Sequence, residues 1–280
     1  ISGKDGNNFC PNDYLKREEL TKIIVEAPEN DKQILEEHLK ASLNGMNNAK
    51  TGTIRLVVKD NIEGISSPEG YSMTITPKEI TVEAICGAGL FYGIQTILQM
   101  AREGNTIACG KITDEPAFAY RGLMLDVSRH FFGKEFVKKQ IDALALLKMN
   151  VMHLHLTDAA GWRLQIDAYP NLTDHVAWRI GETYHEWEGL GYPFTNAADP
   201  KAYGGFYTKE DIREIVSYAA ERHIDIIPEI EMPGHSMEVN RAYPEIACVG
   251  EDGKPRPFSW DLCVGNEGTF KFLETVLEEV

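Results

Sequence analysis

No apolar run in this 280-residue chain approaches the roughly 20 residues that a membrane-crossing helix needs, so no span is expected. The first ten residues, Ile1 to Cys10, carry neither a cationic head nor an apolar stretch, and no signal peptide is read there. Cations are scarce: 28 Lys and Arg stand against 43 Asp and Glu, for a net charge of −15. Phosphate binding wants a basic face, which argues against a nucleic-acid partner. The acidity serves solubility and is compatible with a neutral ligand such as a sugar. Cysteine is limited to five residues, an odd number, so at least one is unpaired or paired between chains. Cys248 and Cys263 flank a polar, Pro-containing loop and could bridge it, whereas Cys86 and Cys109 sit in apolar surroundings and read as buried thiols. The compartment stays open, with an extracytoplasmic one favoured.

What is present is an ordinary globular composition, 43% hydrophobic and 25% charged, organised in two regions that meet near Asp114-Glu115-Pro116. We read residues 1–115 as a small α+β domain and 116–280 as a second domain. In the first, Ile23–Val25 and Ile54–Val58 read as strands. Between them Asp31 caps a helix with Ile34, Leu35, His38 and Leu39 on one face, stopping at Gly45. Tyr71–Thr76 and Ile80–Ala84 alternate at period two about Pro77-Lys78-Glu79, a hairpin. A helix follows from Gly89 to Arg102.

From Phe118 strands and helices alternate. Gly122–Val127 is a buried-strand run, and Phe136–Lys148 a helix with Val137, Ile141, Leu144 and Leu147 inward. Val151–Leu156 is a second strand. After a long insertion, Thr208 and Asp211 form a capping box for a helix to His223. Ile224–Ile227 is a third strand, and Phe270–Val280 a last helix with Phe270, Leu273 and Leu277 on one face. This alternation implies a parallel sheet with right-handed crossovers. Eight βα units need roughly 250 residues. The stretch from Phe118 to Val280 is too short for that, so we expect either part of a barrel or a small open α/β domain.

In a parallel α/β sheet, function gathers at the C-terminal strand ends. Three clusters fall there: Asp126-Val-Ser-Arg129-His130, His153-Leu-His155-Leu-Thr-Asp158, and Glu229-Ile-Glu231-Met-Pro-Gly-His235. Arg129 offers a rigid fork of donors that can grip neighbouring hydroxyls; its plainer role is a salt bridge to Asp126. His153 and His155, two apart, face the same side of their strand, and either can be a hydrogen-bonded core residue. Asp158 can orient a histidine or substrate group, or merely cap a turn. Glu231 and His235 flank a Pro-Gly turn, where a carboxylate can orient an imidazole. Trp162, Trp178 and Trp187 can stack on sugar faces or pack internally. His-x-His at a strand end also suits a metal-dependent hydrolase using His153 and His155, but no clean third and fourth ligand follows.

Arg121-Gly-Leu-Met-Leu-Asp-Val-Ser-Arg-His130, Asn150-Val-Met-His-Leu-His-Leu-Thr-Asp158 and Pro228-Glu-Ile-Glu-Met-Pro-Gly-His235 closely resemble the successive signatures of glycoside hydrolase family 20, the β-N-acetylhexosaminidases. Ala88-Gly-Leu-Phe-Tyr-Gly-Ile-Gln-Thr-Ile-Leu98 is similar to the domain that precedes their barrel. The resemblance implies an α/β fold: a (β/α)8 TIM-type barrel, incomplete in this chain, after a small α+β domain. It implies release of terminal β-linked N-acetylglucosamine or N-acetylgalactosamine from a glycan, with no metal or organic cofactor. In that retaining mechanism the substrate's 2-acetamido oxygen attacks the anomeric carbon, an Asp holds the acetamido N–H, and an adjacent Glu protonates the leaving oxygen. By position Arg129 holds ring hydroxyls, Asp158 supports the site, His155 lines the pocket, and Glu231 with His235 forms a dyad that tunes the general acid.

The sequence departs from the family pattern in two places. Ala159-Ala160 stand where many relatives carry polar residues. The Asp-Glu catalytic pair belongs at the end of a fourth barrel strand, and the sequence stops at Val280, still in the preceding helix. The 280 residues alone are therefore expected to be inactive, with the remainder of the barrel supplied elsewhere. A non-catalytic sugar-binding derivative is the other reading.

Overall fold

The structure, a computed structural model, describes residues 14–16, 20–43, 52–102 and 106–280. They fall into two compact units. One is built from residues up to Arg121 with Ala145–Met149 and Glu221–His223; the other comprises Gly122–Leu144, Asn150–Ala220 and Ile224–Val280. The stop expected at Gly45 and the Ile1–Cys10 segment lie outside the described residues.

In the first unit the elements run β1 (Tyr14–Lys16), β2 (Leu20–Glu26), α1 (Glu29–Leu43), β3 (Gly52–Val58), β4 (Tyr71–Ile75), β5 (Glu79–Ala84), α2 (Gly87–Arg102), β6 (Thr106–Ala108) and β7 (Gly110–Asp114). A five-stranded sheet has the order β2-β3-β5-β4-β7, parallel across β2-β3-β5 and antiparallel beyond. β1 and β6 pair as a separate ribbon. The alternating residues Ile54, Leu56, Met73, Ile75, Ile80 and Val82 are buried, as period-two strands with one covered face require. α1 and α2 pack on the sheet and on each other. The glycines that interrupt α2 have a packing reason: a methyl at Gly89 would strike the Gly70 carbonyl, and one at Gly93 the Val82 side chain. Cys109 is buried as expected; Cys86 is only half-buried, its thiol directed to the Pro68 carbonyl at 3.0 Å.

The second unit contains β8 (Gly122–Asp126), α3 (Lys134–Leu146), β9 (Val151–Asp158), β10 (Gly161–Trp162), α4 (Asn171–Asp174), β11 (Trp178–Ile180), α5 (Tyr184–Gly189), β12 (Ala202–Gly204), α6 (Lys209–Ala220), β13 (Asp225–Ile230), α7 (Met237–Ala242) and α8 (Glu267–Glu279). β8 and β13 flank β9, both parallel to it; Gly122 and Asp225 each pair with Val151. These are successive βα units of the barrel type. β9 is covered on both faces and reads as an apolar run. Among the described residues β8 pairs with β9 alone, so Leu123 and Met124 are exposed rather than buried as the sequence suggested. α3 ends at Leu146, where Lys148 turns to positive φ, and this leaves Leu147 outside at 66% exposure. In α8 the inward stripe is Thr269, Phe272 and Val276, not Phe270, Leu273 and Leu277: a helix buries what its neighbours meet, and Phe272 lies against Trp162 and Tyr169. The Thr208–Asp211 capping box is formed.

The segment between β9 and α6 is a packed layer in which β11 and β12 pair antiparallel across the intervening α5 segment. Within it Thr183 and Glu186 cap α5 reciprocally: the Glu186 N–H donates to Thr183 Oγ1 at 3.2 Å, and the Thr183 N–H to Glu186 Oε2 at 3.0 Å. α5 carries the fully buried Trp187 onto Ala159, Ala160 and Met237. We expect Thr183→Ala to cost about 1 kcal/mol of stability, read as a lower urea midpoint at unchanged slope.

Candidate active site

Three strand ends meet at one carboxylate. Asp126 closes β8 with its Oδ1 accepting the N–H groups of Ser128 and Arg129 at 3.0 and 2.9 Å, a turn that aims the Arg129 side chain. Its Oδ2 accepts from Arg129 Nη1 at 2.7 Å. The Arg129 Nη2 reaches Asp158 Oδ2 at 2.6 Å. The same Asp158 oxygen lies 3.1 Å from His155 Nε2 and 3.2 Å from His235 Nδ1. Asp158 Oδ1 accepts the Ala159 N–H at 2.8 Å. Asp158 is 2% exposed, whereas the side chains of Arg129 and His235 remain 39% and 56% exposed. Arg129 thus makes the salt bridge to Asp126, and its side chain is still partly exposed.

Surrounding residues explain the rigidity of this arrangement. The Ser128 hydroxyl ties the end of β8 to the β9–β10 turn through the Gly161 carbonyl at 2.7 Å. The buried Arg179 donates to the Arg129 carbonyl at 2.9 Å. Ala159 and Ala160 are buried in the apolar cluster around Trp187, which leaves no room there for larger polar side chains. The Cys248–Cys263 bridge is formed. Its loop is bound to the His235 segment: the Ser236 N–H donates to the Trp260 carbonyl at 2.6 Å, and the Leu262 N–H to the Pro233 carbonyl at 2.8 Å.

The electrostatics follow from these contacts. Burial pushes the Asp158 carboxyl up, but the His155 hydrogen bond and the Arg129 and His235 groups outweigh it, so it titrates below its ordinary value. The Asp158 hydrogen bond, opposed by burial and helped by Glu229, raises His155 to about 9. Burial, the adjacent Glu229 carboxyl and its charge raise Glu231. Burial also raises Glu229, but His155 and His153 reverse the sign, so Glu229 titrates low.

Arg129, His155, Asp158 and His235 are thus brought together as expected. The expected Glu231–His235 dyad is not formed. Glu231, the residue just after β13, lies beside the Glu229 carboxylate, while His235, past the Pro233-Gly234 turn, is directed to Asp158. His153 meets Glu229 Oε2 at 2.6 Å. Trp162 and Trp187 are fully buried and so available for packing only; Trp178 is half-buried. Trp260, missed from sequence, stands 38% exposed with its ring 6.3 Å from that of His235. It lies in a loop without periodicity, and only the flanking cysteines hinted at order there. The donor atoms of His155, Glu229 and Glu231 lie within 4.8 Å of one another. His155 Nε2 lies 3.1 Å from Asp158 Oδ2 and its Nδ1 2.8 Å from Glu229 Oε2.

The family models of glycosyl hydrolase family 20 match this chain over residues 118–280 for the catalytic domain and 14–115 for domain 2. The chain belongs to glycosyl hydrolase family 20. It is 40% identical over 227 residues to a beta-hexosaminidase of Porphyromonas gingivalis, an alignment covering 76% of this chain and 27% of that protein. A mutant beta-hexosaminidase of Streptomyces plicatus in complex with product GlcNAc superposes with a TM-score of 0.74 at 34% identity, over 95% of this chain and 53% of that one. For the exo beta-N-acetylglucosaminidase of Vibrio harveyi in complex with N-acetylglucosamine the values are 0.76, 30%, 95% and 42%. The chain therefore spans about half or less of these family 20 proteins. Its β8, β9 and β13 belong to a TIM-type barrel that the chain contains in part.

Proposed function

We propose that this chain supplies the sugar-gripping part of an exo-β-N-acetylhexosaminidase whose full length releases terminal N-acetylglucosamine or N-acetylgalactosamine from a glycan. The observation that carries this is the convergence of Arg129, His155 and His235 on Asp158 Oδ2 at one rim of three parallel strands. A guanidinium fixed by two carboxylates and still open to solvent suits adjacent ring hydroxyls of a neutral sugar. The reading assigns Arg129 to those hydroxyls, His155 and Asp158 to the pocket, and Glu231 and His235 to its support. We read residues 1–115 and 116–280 as the two domains.

In the reaction, the sugar's acetamido oxygen forms a bond to the anomeric carbon as the glycosidic bond breaks. The leaving oxygen takes a proton from a carboxylic acid, and water then opens the cyclic intermediate with retention. The Asp that would hold the acetamido N–H and the Glu that would deliver the proton belong to the part of the protein outside these 280 residues. Asp158 and His235, at the rim, would orient that acid. The test is a chromogenic β-N-acetylglucosaminide given to the full-length protein, with the corresponding β-glucoside as control. Release of the chromophore only from the acetamido sugar is expected; equal turnover of both would overturn the substrate-assisted reading.

A further inference from the structure

We propose that Glu229 is a positioning residue of this pocket: it holds the His155 ring doubly protonated, so that Nε2–H always faces Asp158 and keeps that carboxylate where Arg129 and His235 meet it. This rests on the glycosidase reading above and deepens it.

Glu229 lies on β13 and reaches across to β9. Its Oε2 is 2.8 Å from His155 Nδ1, an ion-pair contact rather than an aligned hydrogen bond, and 2.6 Å from His153 Nε2. An ionised carboxylate only accepts, so each nitrogen that faces it carries a proton. On the far side of the ring, His155 Nε2 faces Asp158 Oδ2, a second acceptor, at 3.1 Å. With a carboxylate at each nitrogen, no neutral tautomer satisfies both contacts, and the imidazolium does.

The groups around His155 agree in sign. Asp158 faces it from its own strand, Asp126 from β8, Glu229 from β13 and Glu231 from just past the end of β13; Arg129, 3.5 Å from Nε2, is the cation against them. Glu229 and Glu231 divide the labour. Glu231, pushed up by burial and by its neighbour, takes a proton more readily, while Glu229, facing two imidazoles, stays charged. His155 is 4% exposed, so water cannot replace either contact. If the Nε2 proton were lost, a ring lone pair would face the Asp158 carboxylate, which would then turn away from Arg129 and His235.

Two measurements on the full-length protein test this. The first is the ¹⁵N-histidine NMR titration of the wild type, with His155 assigned by loss of its signals in His155→Gln. The ring is expected to be doubly protonated at pH 7.5; a neutral ring there overturns the proposal without any variant. The second compares Glu229→Gln and Glu229→Asp. In Glu229→Gln the His155 titration and the alkaline limb of kcat/KM should both move acidward by about one pH unit or more, with activity below pH 6 retained to within a few fold. Glu229→Asp, which keeps the charge, should restore part of the shift. An active wild type whose His155 titration and alkaline limb ignore Glu229→Gln refutes the positioning role of Glu229 and leaves the glycosidase reading standing. A wild type without hexosaminidase turnover but with a Glu229-dependent His155 refutes the glycosidase reading and leaves the positioning role.

Discussion

Replacing Asp158 with asparagine in the full-length protein should lower kcat/KM about a thousandfold while leaving the fold in place. Both carboxylate oxygens of Asp158 only accept: Oδ1 takes the Ala159 N–H, and Oδ2 takes Arg129, His155 and His235. An asparagine has one acceptor oxygen for these two places. Whichever way its amide turns, an NH2 group opposes a donor. Removing one member of a buried charge cluster costs roughly 3–5 kcal/mol, and about 1.4 kcal/mol corresponds to a tenfold rate. Here that cost falls on the pocket more than on the fold. Arg129 and His235 are half open to water, and His155 keeps Glu229. Circular dichroism and thermal melting should find the variant folded, and the chromogenic assay should find it nearly silent. Loss of less than about tenfold would mean that the convergence on Asp158 does not serve turnover.

The same contacts set the pH range of the pocket. Asp158 titrates below its ordinary value, so its stabilising contribution is present above that value and is lost as pH falls through the folded one. His155 is raised from 6.5 to about 9, so its contribution is full below 6.5 and fades as pH rises to about 9. The two overlap between the ordinary carboxylate range and pH 6.5, where the second unit should be most resistant to urea. Asp158→Asn should lose much of the alkaline decline, because the largest support of the His155 proton is gone.

The strands and the site were legible to different degrees. β8, β9 and β13 and the helices α3, α6 and α8 follow from local pattern, since periodicity and caps are properties of short segments. Three strand ends each carrying an acid with a histidine or arginine were enough to anticipate that Arg129, His155, Asp158 and His235 meet. Which acid pairs with which base was not legible. Glu231 and His235 are four apart in sequence, yet the turn between them sends one to Glu229 and the other to Asp158. Burial of faces also escaped: Leu147, Leu123 and Phe270 look like core residues, and whether they are depends on what lies opposite them. The layer between β9 and α6 was opaque for the same reason. Its order comes from long-range contacts of two arginines, and nothing in a lone Arg codon distinguishes a buried guanidinium from a solvated one.

Arg163 makes the strongest case, and its loss should unfold the second unit. It is fully buried and donates to five backbone carbonyls: Val127 at 3.1 Å, Ser128 at 2.7 Å, Gly205 at 3.1 Å, Ala160 at 3.5 Å, and Ala177. These belong to the loop after β8, the β9–β10 turn, and the segments before β11 and after β12. Burial and the neighbouring Arg179 disfavour its charge. The five acceptors hold it nonetheless, because a planar fork of five N–H donors is what they require. Arg163→Met would fill part of the volume but leave those carbonyls without that donor, at about 1–3 kcal/mol for each that is orphaned. Even partial relaxation leaves a loss comparable to a domain's whole stability of roughly 5–15 kcal/mol. Arg163→Lys keeps the charge but offers three donors from one point, so at least two carbonyls remain unmet. We therefore expect Arg163→Met to lack a cooperative urea transition and to be cut rapidly by protease. Arg163→Lys should fold with a midpoint lowered by roughly 3 kcal/mol equivalent. If Arg163→Met melts within 1 kcal/mol of wild type on that scale, the layer is held by its apolar packing around Trp187 and not by the guanidinium. Because Val127 and Ser128 lie between Asp126 and Arg129, the Lys variant should also loosen the arginine that the sugar would meet, raising KM more than it lowers kcat.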